Sequence, residues 1–348
     1  MAGGTGGHIF PGIAVAHELR ARGVSVVWLG ARRGLENELV PKAGFALETI
    51  EFGGVRGKGL ATLLLAPLRL LRAVSAARAV IRRIAPASVL SMGGYAAAPG
   101  GIAAWMARVP LVVHEQNRVA GFSNRLLARI ARRVLGGFAD TLPGIEWVGN
   151  PVRSEIAALP SPRERMASRE GALRLLVLGG SQGAMSLNAQ LPIVFQRRGN
   201  ALDLEIRHQC GARHLDKATG AYRNADVEAT VEPFIEDMAA AYAWADLVIC
   251  RAGALTLAEL CAAGVGAILV PFPAAVDDHQ TRNGEVLVQA GAARLVAEGD
   301  DFLKHVGAQL DELARDRFAL LTMAIAARGL ARPQATARIA DVCVEVCA

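Results

Sequence analysis

Short apolar runs alternate along this chain with stretches whose apolar positions recur every three or four residues. The runs at 24–29, 89–92, 111–113, 173–178, 204–208, 247–250 and 267–270 are predicted strands, and those other than 204–208 carry few polar positions, as strands buried on both faces do. Between them the spacing predicts helices, beginning with 13–22, for which Pro11 is placed as a first helical residue. Strands and helices in this alternation predict parallel sheets with right-handed crossovers, the α/β class. Ligands of such sheets gather where strand C-termini turn into helix N-termini.

With 348 residues the chain is long for one domain. Glycine turns at 3–8 and 179–184 hold matching places in two similar halves. A boundary is expected near 149–153, followed by a charged, proline-containing linker at 159–169 and a second core from 173 onward. The expected domains are 1–153 and 154–333, with a final helix at 334–348 packing back on the first.

Composition narrows the function classes. A hydrophobic share of 52% supports large cores. The longest uncharged run, 260–276, contains Gly264, Gly266, Pro271 and Pro273, so it reads as helix end, turn and buried strand, not a membrane span. The chain opens on glycines and shows no secretory signal pattern. Five scattered cysteines without a CxxC pair read as reduced thiols. A net charge of +6 favours acidic partners, although an arginine-rich genome composition accounts for it equally well. Aromatic residues are 5% of the chain and form no stripe alternating with basic residues, so nucleic acid is not an expected partner.

The chemistry is carried by turns. Gly3-Gly4-Thr5-Gly6-Gly7-His8 leaves backbone N–H groups open to a phosphate at a helix N-terminus, with His8 the one titratable side chain inside the turn. The turn equally suits a mere tight connection, and its spacing is neither GxGxxG nor GxxxxGK[ST]. Gly93-Gly94-Tyr95 and Gly179-Gly180-Ser181-Gln182-Gly183 repeat the device. His114-Glu115-Gln116-Asn117 ends a buried run in four polar residues. Cys250-Arg251-Ala252-Gly253 leads into a helix starting Ala254-Leu255-Thr256, whose first N–H groups suit a diphosphate. Glu259, one turn on, suits a ribose diol, as the acidic residue does in dinucleotide folds; a dipole-favoured glutamate is the plainer alternative. Asp277 to Asn283 is dense in groups that bind sugar hydroxyls. No D-x-D, HExxH or GxSxG occurs, so neither a metal nor another cofactor is expected; Arg153, Arg251 and helix N-termini would balance diphosphate charge. The 59–83 stretch sets leucines beside arginines, which fits an anionic membrane surface or an ordinary core helix with solvated arginines.

GGTGGH, GGYAAAPGG, HEQN, VGNPVR, GGSQGA, EPFIEDM, CRAGALTLAE and DDHQTRN occur in this order over nearly the whole chain. Together they resemble the MurG family of peripheral-membrane N-acetylglucosaminyltransferases. The resemblance implies a GT-B fold, two Rossmann-like domains facing across a cleft. It implies transfer of GlcNAc from UDP-GlcNAc to the 4-hydroxyl of lipid-linked N-acetylmuramyl-pentapeptide (lipid I) to give lipid II. The anomeric centre would invert. The setting would be peptidoglycan synthesis at the cytoplasmic face of the bacterial inner membrane, with the 59–83 stretch as the membrane patch. His8 would be the general base, a role that imidazole suits near neutral pH. The acceptor pyrophosphate would meet Gly3, Gly4, Gly93, Gly94 and Tyr95. Donor contacts would come from Thr5, Gly6, Gly7, Asn117, Arg153, Ser181, Ile235, Ala254, Leu255, Thr256, Glu259 and Gln280, with Ile235 at the uracil, Glu259 at the ribose and Gln280 at the sugar.

One feature departs from that pattern. Met1 and Ala2 alone precede the first glycine turn, where a strand of roughly five residues is normal. The central strand is therefore expected to be missing, which puts the stability of the first domain and the placing of His8 in question. Another GT-B sugar transferase, a UDP-GlcNAc 2-epimerase and a non-enzymatic nucleotide sensor at a membrane remain competing readings.

Overall fold

A computed structural model describes residues 1–53, 65–180 and 183–347; Ser181 and part of the 59–83 stretch lie outside the described residues. The chain forms two compact units, Met1–Val152 with Arg332–Ala348, and Arg153–Ala331.

In the second unit, six strands make one parallel sheet. They are β7 (Leu173–Leu178), β8 (Leu204–Gln209), β9 (Thr230–Glu232), β10 (Leu247–Cys250), β11 (Gly266–Leu269) and β12 (Ala293–Leu295), in the order β12-β11-β10-β7-β8-β9. The central strands β7 and β10 are apolar on both faces because helices cover both. Leu187 and Leu191 from the helix Met185–Gln196 and Leu310 from the helix Phe302–Ala314 join that core.

The first unit holds β1 (Val27–Ala31), β2 (Ala46–Ile50), β3 (Val89–Ser91), β4 (Leu111–Glu115), β5 (Arg133–Gly136) and β6 (Glu146–Trp147). All pair in parallel, but in two pieces, β1-β2 and β3-β4-β5-β6. A doubly wound sheet is normally continuous. Here Met1 alone occupies the position between the pieces. Its α-amine donates to the Leu90 carbonyl at 2.7 Å, and its carbonyl accepts from Met92 N–H at 2.9 Å. The C-terminal helix Ala335–Glu345 packs Ile339 and Cys343 with Val15 and Leu19 of the first helix.

The first helix runs Gly6–Ala21, with Thr5 as N-cap and Pro11 inside it, not from residue 13. The glycine turn is thus partly the helix's own first turn. Pro11 forgoes a bond to the Gly7 carbonyl, and the helix runs on through it. The structure begins β1 at Val27 instead of residue 24 and adds β2, β5, β6, β9 and β12 to the predicted strands.

Candidate functional site

In the first unit the two glycine turns meet each other. Gly93 and Gly94 have φ of +100° and +92°, a region that strains any residue with a Cβ. A Cβ on Gly94 would overlap the backbone of Gly3, and one on Gly93 would stand 3.1 Å from the His8 ring. Gly4, at φ +89°, lies against the exposed Tyr95 ring. Buried Glu36 ties the turn to β1: its carboxylate accepts from Gly4 N–H at 3.1 Å and from Ala31 N–H at 3.0 Å. The Gly4 donor is therefore engaged. Gly6 and Gly7, in the first helical turn, present N–H groups that have no acceptor within the helix.

The His8 ring is oriented by a chain of hydrogen bonds that starts at β4. The Gly149 carbonyl can only accept, so His114 donates from Nε2 at 2.9 Å. His114 is fully buried, and burial lowers its pKa to about 4, so the ring is neutral and Nδ1 is an acceptor. Gln116 donates to that Nδ1 at 3.1 Å and to the His114 carbonyl at 3.0 Å from Nε2. Its Oε1 then faces His8 and accepts from Nδ1 at 2.8 Å. The proton of His8 is thereby fixed on Nδ1, and the Nε2 lone pair is left to accept a proton from elsewhere. Glu115 braces the neighbouring loop through Asn117 N–H at 3.0 Å, Gly121 N–H at 3.0 Å and Asn124 Nδ2 at 2.9 Å.

The second unit gathers another set of residues. The helix Ala254–Ala263 starts at Gly253 with no side-chain cap, so the N–H groups of Ala254, Leu255 and Thr256 lack helical acceptors, and the dipole there favours an anion. Glu259 accepts from Arg153 at 2.7 and 3.2 Å on one oxygen and from the Tyr242 hydroxyl at 3.1 Å on the other. Tyr242 is fully buried; burial, and then the adjacent Glu259, keep it protonated. Gln209 staples two loops: its Oε1 accepts from Gly180 N–H at 3.0 Å, and its Nε2 donates to the Gly180 and Pro233 carbonyls at 3.0 and 3.2 Å. Ile235, two residues past Pro233, is buried. Gln280 Oε1 accepts from Phe272 N–H at 2.9 Å.

The structure thus brings His8 together with Gly93, and Arg153 together with Glu259. Thr5 and Asn117 lie in the first unit and Ile235 and Gln280 in the second. Arg251 pairs with Glu298 at 2.8 Å and donates to the Val270 and Pro271 carbonyls, each at 3.2 Å. Sequence reasoning missed Glu36, Gln209 and Tyr242. Gln209 ends a strand, Leu204–Gln209, that also carries Glu205, Arg207 and His208, so nothing in the local sequence singled it out.

Comparisons with known proteins agree with this geometry. Residues 1–136 match the glycosyltransferase family 28 N-terminal domain, and residues 174–339 match the family 28 C-terminal domain. A protein of Xylella fastidiosa strain M12, named UDP-N-acetylglucosamine–N-acetylmuramyl-(pentapeptide) pyrophosphoryl-undecaprenol N-acetylglucosamine transferase, is 57% identical over 99% of this chain and 94% of its own. The protein of the same name in Xanthomonas euvesicatoria is 56% identical over 99% of this chain and 80% of its own. The crystal structure of MurG from Acinetobacter baumannii superposes with a TM-score of 0.88 at 39% identity, covering 99% of this chain and 98% of that one. Two Rossmann-like units that both match, with relatives this similar over nearly their full length, make the chain a GT-B enzyme that belongs to glycosyltransferase family 28 and, within it, to the MurG transferases.

Proposed function

We propose that the enzyme transfers GlcNAc from UDP-GlcNAc to the 4-hydroxyl of the N-acetylmuramyl group of lipid I, with His8 as the base. His8 Nε2 takes the hydroxyl proton as the oxygen attacks the anomeric carbon. The bond from that carbon to the UDP oxygen breaks, UDP leaves with the electron pair, and the configuration inverts. In the first unit, Gly3, Gly93, Gly94 and Tyr95 receive the acceptor pyrophosphate, and Thr5, Gly6, Gly7 and Asn117 contribute to the donor sugar. In the second unit, the helix start at Ala254, Leu255 and Thr256 receives the UDP diphosphate, assisted by Arg153. Ile235 abuts the uracil, Glu259 takes the ribose hydroxyls and Gln280 the sugar. The observation that carries the reading is the hydrogen-bond chain that reserves His8 Nε2 as an acceptor beside a helix N-terminus rich in bare N–H groups.

The test is turnover of a His8→Ala variant with labelled UDP-GlcNAc and a lipid I analogue. Turnover is expected to fall by roughly 10²–10⁴-fold while UDP-GlcNAc binding persists. Wild-type turnover would remove His8 from the role of base. Conversion of UDP-GlcNAc without any acceptor would point to epimerisation.

Membrane association is the second part of the proposal. No described helix is long and apolar enough to cross a membrane. The helix Ala66–Ile84 instead exposes Leu68 and Leu71 next to exposed Arg69 and Arg72. Such a face suits the headgroup boundary of an anionic bilayer. The Leu68→Asp/Leu71→Asp variant is expected to lose co-sedimentation with phosphatidylglycerol vesicles while remaining folded. Undiminished binding would move the membrane contact elsewhere.

A further inference from the structure

The transfer reading gives Tyr242 nothing to do, yet its hydroxyl touches a residue of the donor site. The short helix Met238–Trp244 carries it, with Asp237 as N-cap accepting from Ala240 N–H at 2.8 Å. The ring is fully buried, and a phenol taken out of water needs a partner for its hydroxyl. That partner is Glu259 Oε2, at 3.1 Å. A carboxylate only accepts, and burial above all keeps the phenol protonated, so Tyr242 donates. Arg165 fastens the two helices concerned at their C-terminal ends. It donates to the Tyr242 carbonyl at 3.0 Å and to the carbonyl of Gly264, which caps the helix Ala254–Ala263.

Glu259 has a second partner of a different kind. Arg153 holds Oε1 at 2.7 and 3.2 Å, but its side chain is 49% exposed, against 19% for that of Glu259. An ion pair so exposed is weak. An arriving diphosphate can therefore draw the guanidinium away. The Tyr242 ring cannot follow, because its departure would leave a cavity in the core. The oxygen that Arg153 gives up is Oε1, and the oxygen that Tyr242 keeps is Oε2.

We propose that Tyr242 is a positioning residue for the donor: it anchors Glu259 through Oε2, so that Oε1, released by Arg153 to the diphosphate, is in place for the ribose hydroxyls. The proposal rests on the reading of Glu259 as the ribose ligand. A carboxylate held by one oxygen binds hydroxyls without first being ordered. Without the phenol, Glu259 has no fixed partner and follows Arg153, and the ribose meets it unprepared. The loss then falls on the ribose contact and leaves the reacting centre untouched. Tyr242 thus sets how sharply the enzyme reads the ribose hydroxyls of its donor.

The test measures Kd by calorimetry, on the full chain, for UDP-GlcNAc and for the analogue that lacks both ribose hydroxyls, together with kcat on a lipid I analogue. The wild type is expected to favour the ribose form by about 10–100-fold, as a charged acceptor of hydroxyls does. Tyr242→Phe keeps the buried ring. It is expected to weaken UDP-GlcNAc about tenfold and the deoxy analogue less than about twofold, with kcat at saturating donor changed less than about twofold. In a Glu259→Ala background the same substitution should cost nothing further at the ribose. Equal weakening of both donors would overturn the proposal, since that describes a tyrosine that only supports the fold. An undiminished ribose preference in Tyr242→Phe would overturn it too. Arg153→Ala gives the answer if Tyr242→Phe fails to fold. It is expected to weaken both donors alike, and loss of the ribose preference there would make Arg153 the anchor in place of Tyr242. The reading of Glu259 fails separately. A Glu259→Ala variant that keeps the wild-type preference overturns both. One that abolishes it, beside a Tyr242→Phe variant that keeps it, overturns the role of Tyr242 alone.

Discussion

The tautomer of His8 is set by its neighbours. A histidine in a glycine turn has two equivalent tautomers until something else decides between them. Here the decision is made three residues away in the hydrogen-bond chain, at the Gly149 carbonyl, and is passed through His114 and Gln116. The Gln116→Leu variant keeps the volume of the side chain and breaks the chain of bonds. It is expected to lower kcat by about 10–100-fold, with KM for UDP-GlcNAc changed less than about threefold, because it disturbs proton transfer and not donor contacts. Gln116→Leu placed on top of His8→Ala should cost little more, since Gln116 acts through His8. Additive losses in the double variant would show that Gln116 acts by another route. The residues HEQN attracted notice in the sequence as polar groups at a strand end, but their order of donors was not legible there. That order depends on a carbonyl 35 residues away in the chain. Glu36 was invisible for a similar reason: in its local sequence it reads as an exposed residue at a helix start, and only the fold carries it to Gly4 and Ala31.

Elements differ in how openly the sequence announces them. β7 and β10 coincide with their predicted runs at 173–178 and 247–250, since both are buried on both faces and carry almost unbroken apolar sequence. β2 and β12 escape notice because they lie at sheet edges and mix polar with apolar residues over a few positions. The glycine turns were legible as turns, yet their mutual contact was not, because Gly3 and Gly94 meet only through the folded sheet. Gly94→Ala is expected to destabilise the first unit by about 1–3 kcal/mol, from positive φ and overlap with Gly3. Gly220→Ala should act in the opposite direction. It lies within the helix Leu215–Asn224, and a Cβ there meets nothing within 4 Å, so the gain is about 0.5–1 kcal/mol. Urea midpoints of the two variants check both signs. A neutral Gly94→Ala would mean that the turn shifts at no cost.

At the scale of the whole molecule, each unit buries one neutral histidine. His114 sits in the first unit with its ring between Gly149 and Gln116. His208 sits in the second between Asn188 and the Tyr222 hydroxyl, at 3.0 and 2.8 Å. Burial lowers both to about 4. The folded state therefore refuses a proton that the unfolded state accepts near pH 6.5. The sign follows directly: the contribution of each histidine to stability is whole above pH 6.5 and declines as pH falls, until the folded rings titrate near pH 4. The slope approaches about 1.4 kcal/mol per pH unit for each histidine. Between pH 6.5 and 5 the effect is free of the buried Asp246, whose carboxylate Arg169 and Arg317 hold below its ordinary range against the opposing pull of burial. Each unit has its own core, so the two histidines report on separate unfolding events. The His208→Gln variant keeps hydrogen-bonding capacity and has no proton to gain. It is expected to flatten the pH dependence of the second unit's unfolding over this window while that of the first unit stays as it is. Site-resolved hydrogen exchange at pH 6.5 and 5, read in β4 and β8, separates the two. A flattening of both at once would show that the units unfold as one, and an unchanged slope in β8 would mean that His208 is not the group that titrates.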